Sequence, residues 1–199
     1  MYPLFETLQV KNGVILNQEW HEARYYHAYQ KFYDITSSSN LIQDIQIPLE
    51  YQRGIVKLKI AYNQKEQIIN FQHYPNTPIN TLKIVYDNTI DYSLKYSDRN
   101  HLNRLVSQKE DCDNILIVKN NRITDTSFTN IIFYNGNKWF TPSHPLLKGT
   151  CRANLLNQQL IYETEIQLKD LSTFKGFQLI NALRLFDPNE IIPINNIKF

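Results

Sequence analysis

With 199 residues, 42% of them apolar and with 13 Tyr and 10 Phe among them, the chain can bury a core as one large domain or two small ones. A net charge of +2 with no run of Lys or Arg argues against a nucleic-acid partner. Two cysteines are too few for a disulfide framework, and no signal peptide or spanning apolar run is read, so a cytoplasmic protein without membrane attachment is expected.

Residues 4–10 alternate as a strand, turn at Asn12-Gly13 and return through Val14, Ile15 and Leu16. Trp20, Arg24, His27, Ala28, Lys31 and Phe32 then recur at helical spacing, with Asn17 as N-cap. A serine loop at 37–39 and a loop with a short element at 41–48 lead to strands at 54–62 and 68–74. Tyr74-Pro75-Asn76-Thr77-Pro78 reads as a boundary, giving a small α/β domain over 1–76, a linker over 77–81 and a larger domain over 82–199. In the larger domain, 82–86 is a strand, Leu102, Leu105 and Val106 mark a short helix, and 115–118 is a buried strand turning at Asn120-Asn121. Ile131, Ile132 and Phe133, a tight turn at Asn135-Gly136, then Trp139 and Phe140 form a hairpin. Residues 161–168 read as a strand, 171–177 as a connection and 191–199 as a terminal strand.

The stretch 123–152 organises the chain. Gly149-Thr150 stands just ahead of a helical run, Arg152-Ala153-Asn154-Leu155-Leu156, and such a place seats anions: glycine lets the backbone approach, and free N–H groups point at the ligand. A helix cap is the commoner use of such a pair.

Asp125-Thr126-Ser127-Phe128-Thr129-Asn130-Ile131, then Phe140-Thr141-Pro142, then Leu147-Lys148-Gly149-Thr150-Cys151-Arg152 resemble, in order and spacing, the signature of the class IV aminotransferases. These are pyridoxal-phosphate enzymes of fold type IV: aminodeoxychorismate lyase and the D-amino-acid and branched-chain aminotransferases. The resemblance implies an α+β fold with a small N-terminal α/β sandwich, a larger pseudo-barrel-like domain, the cofactor in the cleft between them, and a homodimer. It implies a small-molecule substrate and no metal.

Residue by residue, the resemblance carries over as follows. Phe5-Glu6-Thr7 is similar to the family's opening strand. His21-Glu22-Ala23-Arg24 matches His-x-x-Arg, whose Arg holds the cofactor phosphate, a task suited to a planar, permanently charged fork. Lys95, with Asp98 and Arg99 after it, matches the lysine that joins the cofactor covalently and later shuttles protons at the substrate α-carbon. In a competing register, Asn100-His101-Leu102-Asn103-Arg104-Leu105 falls on the lyase-like Lys-x-Leu-Asn-Arg-Leu and puts Asn100 where the lysine belongs. Asp125 stands where the family has Glu facing the pyridine nitrogen. Gly149, Thr150 and Cys151 form the phosphate loop, with Cys151 in place of the family's Thr. Asn181 and Ala182 resemble the late loop closing the phosphate and substrate side. The Ser-Arg-Gly that contacts a substrate carboxylate is missing: Ala61-Tyr62-Asn63 stands there, and Lys57 or Lys59 could supply the charge, although both also suit a solvated strand face. The short chain and the Asn-Ala-Leu of the late loop lean toward 4-amino-4-deoxychorismate lyase. An aminotransferase is the alternative, and a non-catalytic relative that keeps the fold as a binding module is the rival from another class.

Overall fold

A computed structural model describes residues 1–199. The chain forms two compact units, Met1–Asn76 with Leu94–Asp98, and Thr77–Ser93 with Arg99–Phe199. The division is therefore not a single cut, because a five-residue segment returns to the first unit.

The first unit is a four-stranded antiparallel sheet with one long helix. β1 (Leu4–Lys11) turns at Asn12 and Gly13, both at positive φ, into β2 (Val14–Ile15). α1 (Gln18–Tyr33) follows, and Asn17 caps it by position only: its backbone is left-handed and its side chain makes no cap bond. β3 (Ile55–Tyr62) pairs with β1 and β4 (Gln67–His73) with β3, giving the order β2-β1-β3-β4. Alternation sends Leu4, Leu8, Val10, Val56, Leu58, Ile60 and Tyr62 to one face, where Tyr25, Ala28 and Tyr29 of α1 meet them. Glu22 of α1 accepts the backbone N–H groups of Leu41 and Ile42 at 3.0 and 2.7 Å, which fixes the loop beyond the helix.

The second unit contains two sheets. β5 (Leu82–Tyr86), α2 (Asn100–Val106), β6 (Asn114–Lys119) and β7 (Arg122–Thr126) come first. β8 (Asn130–Tyr134), β9 (Trp139–Pro142), α3 (Thr150–Asn157), β10 (Tyr162–Thr164), β11 (Gly176–Ile180), β12 (Ile192–Pro193) and β13 (Ile197–Lys198) complete it. The sheet orders are β13-β5-β6-β7 and β10-β9-β8-β11-β12. Two of the three parallel pairs, β5 with β6 and β9 with β10, are each joined through a helix, as a parallel pair requires a crossover; the third is β13 with β5. Leu82, Ile84, Leu116, Val118 and Ile123 of one sheet pack on Ile131, Phe133, Phe177 and Leu179 of the other. The chain passes from the first sheet to the second between β7 and β8, so the Asp125-to-Asn130 turn lies where the two sheets meet.

Three predicted elements differ. The hairpin over Asn135-Gly136 is a four-residue loop, with only Gly136 at positive φ, because Asn135 Oδ1 accepts the N–H groups of both Asn137 and Lys138. The strand over 161–168 is cut to three residues. Asp170 accepts the Gln167 N–H at 2.8 Å in a capping box and starts a 3-10 segment over Leu168–Thr173. The terminal strand is split into β12 and β13 by a 3-10 turn after Pro193, so the C-terminus pairs with both sheets of the unit.

Candidate active site

The expected residues form two groups, one in each unit. In the first unit, Glu6 on β1 points at α1 and is 1% exposed. Its Oε1 accepts Arg24 Nε at 2.8 Å, and its Oε2 accepts Arg24 Nη2 at 2.6 Å and meets His21 Nδ1 at 2.7 Å. Burial pushes this carboxyl up. The Arg24 charge, with the hydrogen bonds from His21 and Arg24, overrides that and brings it to about 2. Burial holds His21 below its usual pKa, against the pull of Glu6, so it serves as a neutral Nδ1–H donor. Arg24, expected as a phosphate ligand, thus commits its Nε–Nη2 edge to Glu6.

Lys95 belongs to this unit. Its carbonyl accepts the Phe5 N–H at 3.1 Å, Tyr96 bridges Leu4, and Ser97 N–H donates to the Pro3 carbonyl at 2.7 Å. The segment is thereby laid along β1, and Lys95 Nζ sits over the Phe5 ring, 4.8 Å from its centroid. Lys95 does not lie in a strand leading directly into a helix. It precedes α2 by five residues, and Asn100 of the competing register is the exposed first residue of that helix.

In the second unit, Asp125 near the end of β7 is 5% exposed. Oδ1 accepts Asn130 Nδ2 at 2.8 Å and Oδ2 accepts the Leu147 N–H at 2.9 Å. Asn130 Nδ2 also donates to the Leu147 carbonyl at 2.9 Å, so it braces the loop. Burial raises the Asp125 carboxyl to about 6, because the Leu147 N–H, Asn130 and the more remote Arg152 charge recover only part of the lost hydration. Gly149 is demanded here: a Cβ on it would lie 1.9 Å from Asn130 Oδ1. Gly149 is the N-cap of α3, and Thr150 is the buried first helical residue.

The Cys151 side chain turns the other way, into an apolar cluster with Ile132, Trp139, Leu155, Ile161 and Ile180. Burial pushes its thiol up to about 11, so it is no nucleophile, and only its backbone is left to serve a ligand. Arg152 is buried and ties α3 to the sheet, donating to the Pro142 carbonyl at 2.9 Å and pairing with Glu163. Asn181 Oδ1 closes its own turn by accepting the Leu183 and Arg184 N–H groups, while Nδ2 reaches the Phe128 carbonyl at 3.3 Å. Asn181 and Ala182 are both half-buried.

Sequence reading gave Glu6 no role, though an acidic residue in a strand otherwise patterned for one buried face was a signal. It also passed over Gln9, which is 3% exposed on β1 with its Oε1 unpaired.

A model of the family described as class IV amino-transferases matches residues 3–197. An uncharacterized protein of Haemophilus influenzae is 40% identical over 185 residues, covering 92% of this chain and 98% of its own. A crystal structure from Haemophilus somnus, provisionally named a 4-amino-4-deoxychorismate lyase, is 36% identical with a TM-score of 0.83, covering 94% of this chain and 98% of that one. The branched-chain amino acid aminotransferase of Escherichia coli shares the fold at 14% identity and a TM-score of 0.69, covering 98% and 76%. No helix of the chain is long and apolar enough to cross a membrane.

Proposed function

The chain belongs to the class IV aminotransferases, pyridoxal-phosphate-dependent enzymes of fold type IV, and we propose that its reaction is pyruvate release from 4-amino-4-deoxychorismate to give 4-aminobenzoate. The Haemophilus somnus structure supports this reading by its provisional name and by a length that this chain matches almost throughout.

The observation that carries the cofactor assignment is Asp125. Wholly buried, hydrogen-bonded by neutral donors and left near pKa 6, its carboxylate lacks a close cation, and a protonated ring nitrogen supplies one. The remaining residues fit the same group in kind: a lysine amine, an arginine, and the backbone of a helix start opened by glycine. Pyridoxal phosphate, when bound, supplies an electron sink conjugated to the substrate α-carbon. Lys95 would hold it through Nζ and would move the proton at the substrate α-carbon, and Asp125 would keep the ring nitrogen protonated. Arg24 and the amides of Gly149, Thr150 and Cys151 hold the phosphate, and Asn181 and Ala182 close that side. Loss of pyruvate is driven by aromatisation of the substrate's own ring, so the protein needs to fit one substrate and not two amino/keto acid pairs.

The test is a paired assay. Pyruvate release from aminodeoxychorismate, coupled to lactate dehydrogenase, is expected to exceed transfer from D-alanine or leucine to 2-oxoglutarate. Steady keto-acid exchange without pyruvate release moves the chain to the aminotransferases. Borohydride reduction and peptide mapping are expected to mark Lys95, and label on another lysine defeats that assignment. A colourless protein that never takes up pyridoxal phosphate makes it a binding module. The working form is proposed as a homodimer, to be read by sedimentation.

A further inference from the structure

Lys119 and Arg122 close the β6–β7 hairpin directly opposite one another, and both line one cavity of about 230 Å³. A cavity of about 150 Å³ already takes a benzene ring, so this one has room for a substituted one. It belongs wholly to the second unit. Its lining includes the buried Tyr92 and Thr124. Alternation along β7 puts Thr124 on the face away from Asp125, so the cavity lies behind that carboxylate.

Like charges directly opposite in an antiparallel pair repel, and the chain answers only one of these two. Glu165 meets Arg122 through Nε alone, at 3.0 Å. Lys119 gives its ammonium to a neutral acceptor, the Ile90 carbonyl, and is ion-paired with no carboxylate. Asp91, exposed on the same lining, is tied into its own turn by the Ser93 N–H at 2.9 Å. The Lys119 charge is the smallest of the influences that hold its carboxyl below the usual range.

Two walls of the cavity lead to Asp125. Leu146 lines it, and the next N–H, that of Leu147, donates to Asp125 Oδ2 at 2.9 Å. The Tyr92 hydroxyl accepts Arg99 Nη1 at 3.1 Å, and Arg99 Nη2 donates at 2.7 Å to the carbonyl of Ser127, in the turn that follows Asp125.

We infer that this cavity binds a small organic monocarboxylate between Lys119 and Arg122, and that the bound anion acts on Asp125 from behind. One ammonium without a counter-ion calls for one carboxylate, and the Arg122 Nη groups that Glu165 leaves open donate to the same oxygens. Seating the anion draws Lys119 from the Ile90 carbonyl and loosens residues 90–92, whose Tyr92 holds Arg99. The inference rests on the proposed function for the source of its ligand: pyruvate and 4-aminobenzoate, the two products, are both small monocarboxylates. Occupancy slows the enzyme without excluding its substrate, because the two sites are distinct.

With the holoenzyme, 4-aminobenzoate is expected to inhibit pyruvate release noncompetitively, lowering kcat at unchanged KM. Lys119→Met should weaken that inhibition at least tenfold, with kcat and KM in the absence of product as in wild type. Arg122→Lys keeps the charge and should stay within threefold, while Glu165→Gln removes a competing carboxylate and should tighten inhibition at least twofold. Calorimetry on the holoenzyme and on Lys119→Met separates the sources: whichever of pyruvate and 4-aminobenzoate loses affinity in the variant is the ligand. Aniline, which lacks the carboxylate, should show no such dependence. Inhibition that Lys119→Met leaves within twofold of wild type overturns the inference, as does calorimetry in which neither carboxylate depends on Lys119 or aniline depends on it equally. If no pyruvate is released but a carboxylate still binds with that dependence, the cavity site stands and the lyase reading falls.

Discussion

Glu6 and Asp125 are both buried carboxylates, one in each unit, and the protein treats them in opposite ways. Glu6 has a guanidinium on two of its lone-pair directions and a histidine N–H on a third, and its pKa sinks to about 2. Asp125 has an amide side chain and a backbone N–H, and its pKa rises to about 6. The difference between them is one close positive charge. Where the chain provides that charge itself, the carboxylate is part of the architecture and locks α1 to β1. Where only dipoles are provided, the carboxylate is fixed in place without a close counter-ion, as the proposed pairing with a cofactor ring nitrogen requires. Environments that push two similar groups apart are a sign of divided labour.

The contrast is broken most directly by Asp125→Asn. This change keeps the shape and removes the charge, so activity should fall about a hundredfold or more, the scale for losing a preorganised electrostatic partner. Apoprotein stability should meanwhile hold or rise near pH 8, because no buried charge remains. A fully active Asp125→Asn enzyme would falsify the division of roles. Glu6→Gln is the mirror experiment. It strands Arg24 beside a neutral amide and should cost about 3–5 kcal/mol, or about 6–20 °C in Tm for a chain of this length. A loss of activity there without loss of stability would make Glu6 a functional group and erase the contrast.

Gly149→Ala tests the brace that holds Asp125. Its Cβ cannot coexist with Asn130 Oδ1, so Asn130 must leave both Asp125 and the Leu147 carbonyl. A loss of about 2–4 kcal/mol is expected, the range for overpacking combined with a stranded buried polar group, together with weaker cofactor uptake. Stability and uptake equal to wild type would show that Asn130 is no brace.

Next comes the pH dependence of the apoprotein. The folded pKa of Asp125 is raised, so its contribution is complete below about 4 and is lost as pH rises through about 6; two units correspond to about 3 kcal/mol. The folded pKa of Glu6 is lowered, so its stabilisation is present above about 4.5 and is lost as pH falls through about 2. His21, held below its usual pKa, loses stability as pH falls below that usual value and so overlaps the Asp125 window with opposite sign. The clean quantity is therefore wild type minus Asp125→Asn by urea titration, expected to become less favourable between pH 4 and 7. A flat difference would mean that water reaches Asp125.

What the sequence made legible is what local chemistry settles. The alternation of β1 and β3, the Asn12-Gly13 and Asn120-Asn121 turns, and the helix after Gly149 all follow from neighbours in the chain. The strand over 161–168 misread because a capping aspartate beyond its end competes for the same backbone. The Asn135 loop misread because a side chain took the bonds that a two-residue turn would have made. The environments of Glu6, Gln9 and Lys95 were not legible. Each depends on a partner distant in sequence: α1 docking on β1, β3 pairing with β1, and residues 94–98 returning to lie along the same strand. Motif spacing named Arg24 and Asp125, yet only packing gives one carboxylate a cation and leaves the other without a close one.

The smallest effect belongs to Cys151, where the family has threonine. If the missing hydroxyl mattered to the phosphate, Cys151→Thr should tighten pyridoxal phosphate. Packing argues otherwise. The side chain at 151 faces Ile132, Trp139 and Leu155, and the loop before it is fixed by Gly149 and Asn130, so a hydroxyl there meets an apolar wall. Cys151→Thr should cost about 1–2 kcal/mol for a buried hydroxyl and leave cofactor affinity within twofold of wild type. With Cys112 buried as well, neither thiol should react with a thiol-specific disulfide reagent until the protein unfolds. Tighter cofactor binding in Cys151→Thr, or rapid native labelling of Cys151, would place that side chain on the phosphate side of α3 and return it to the site.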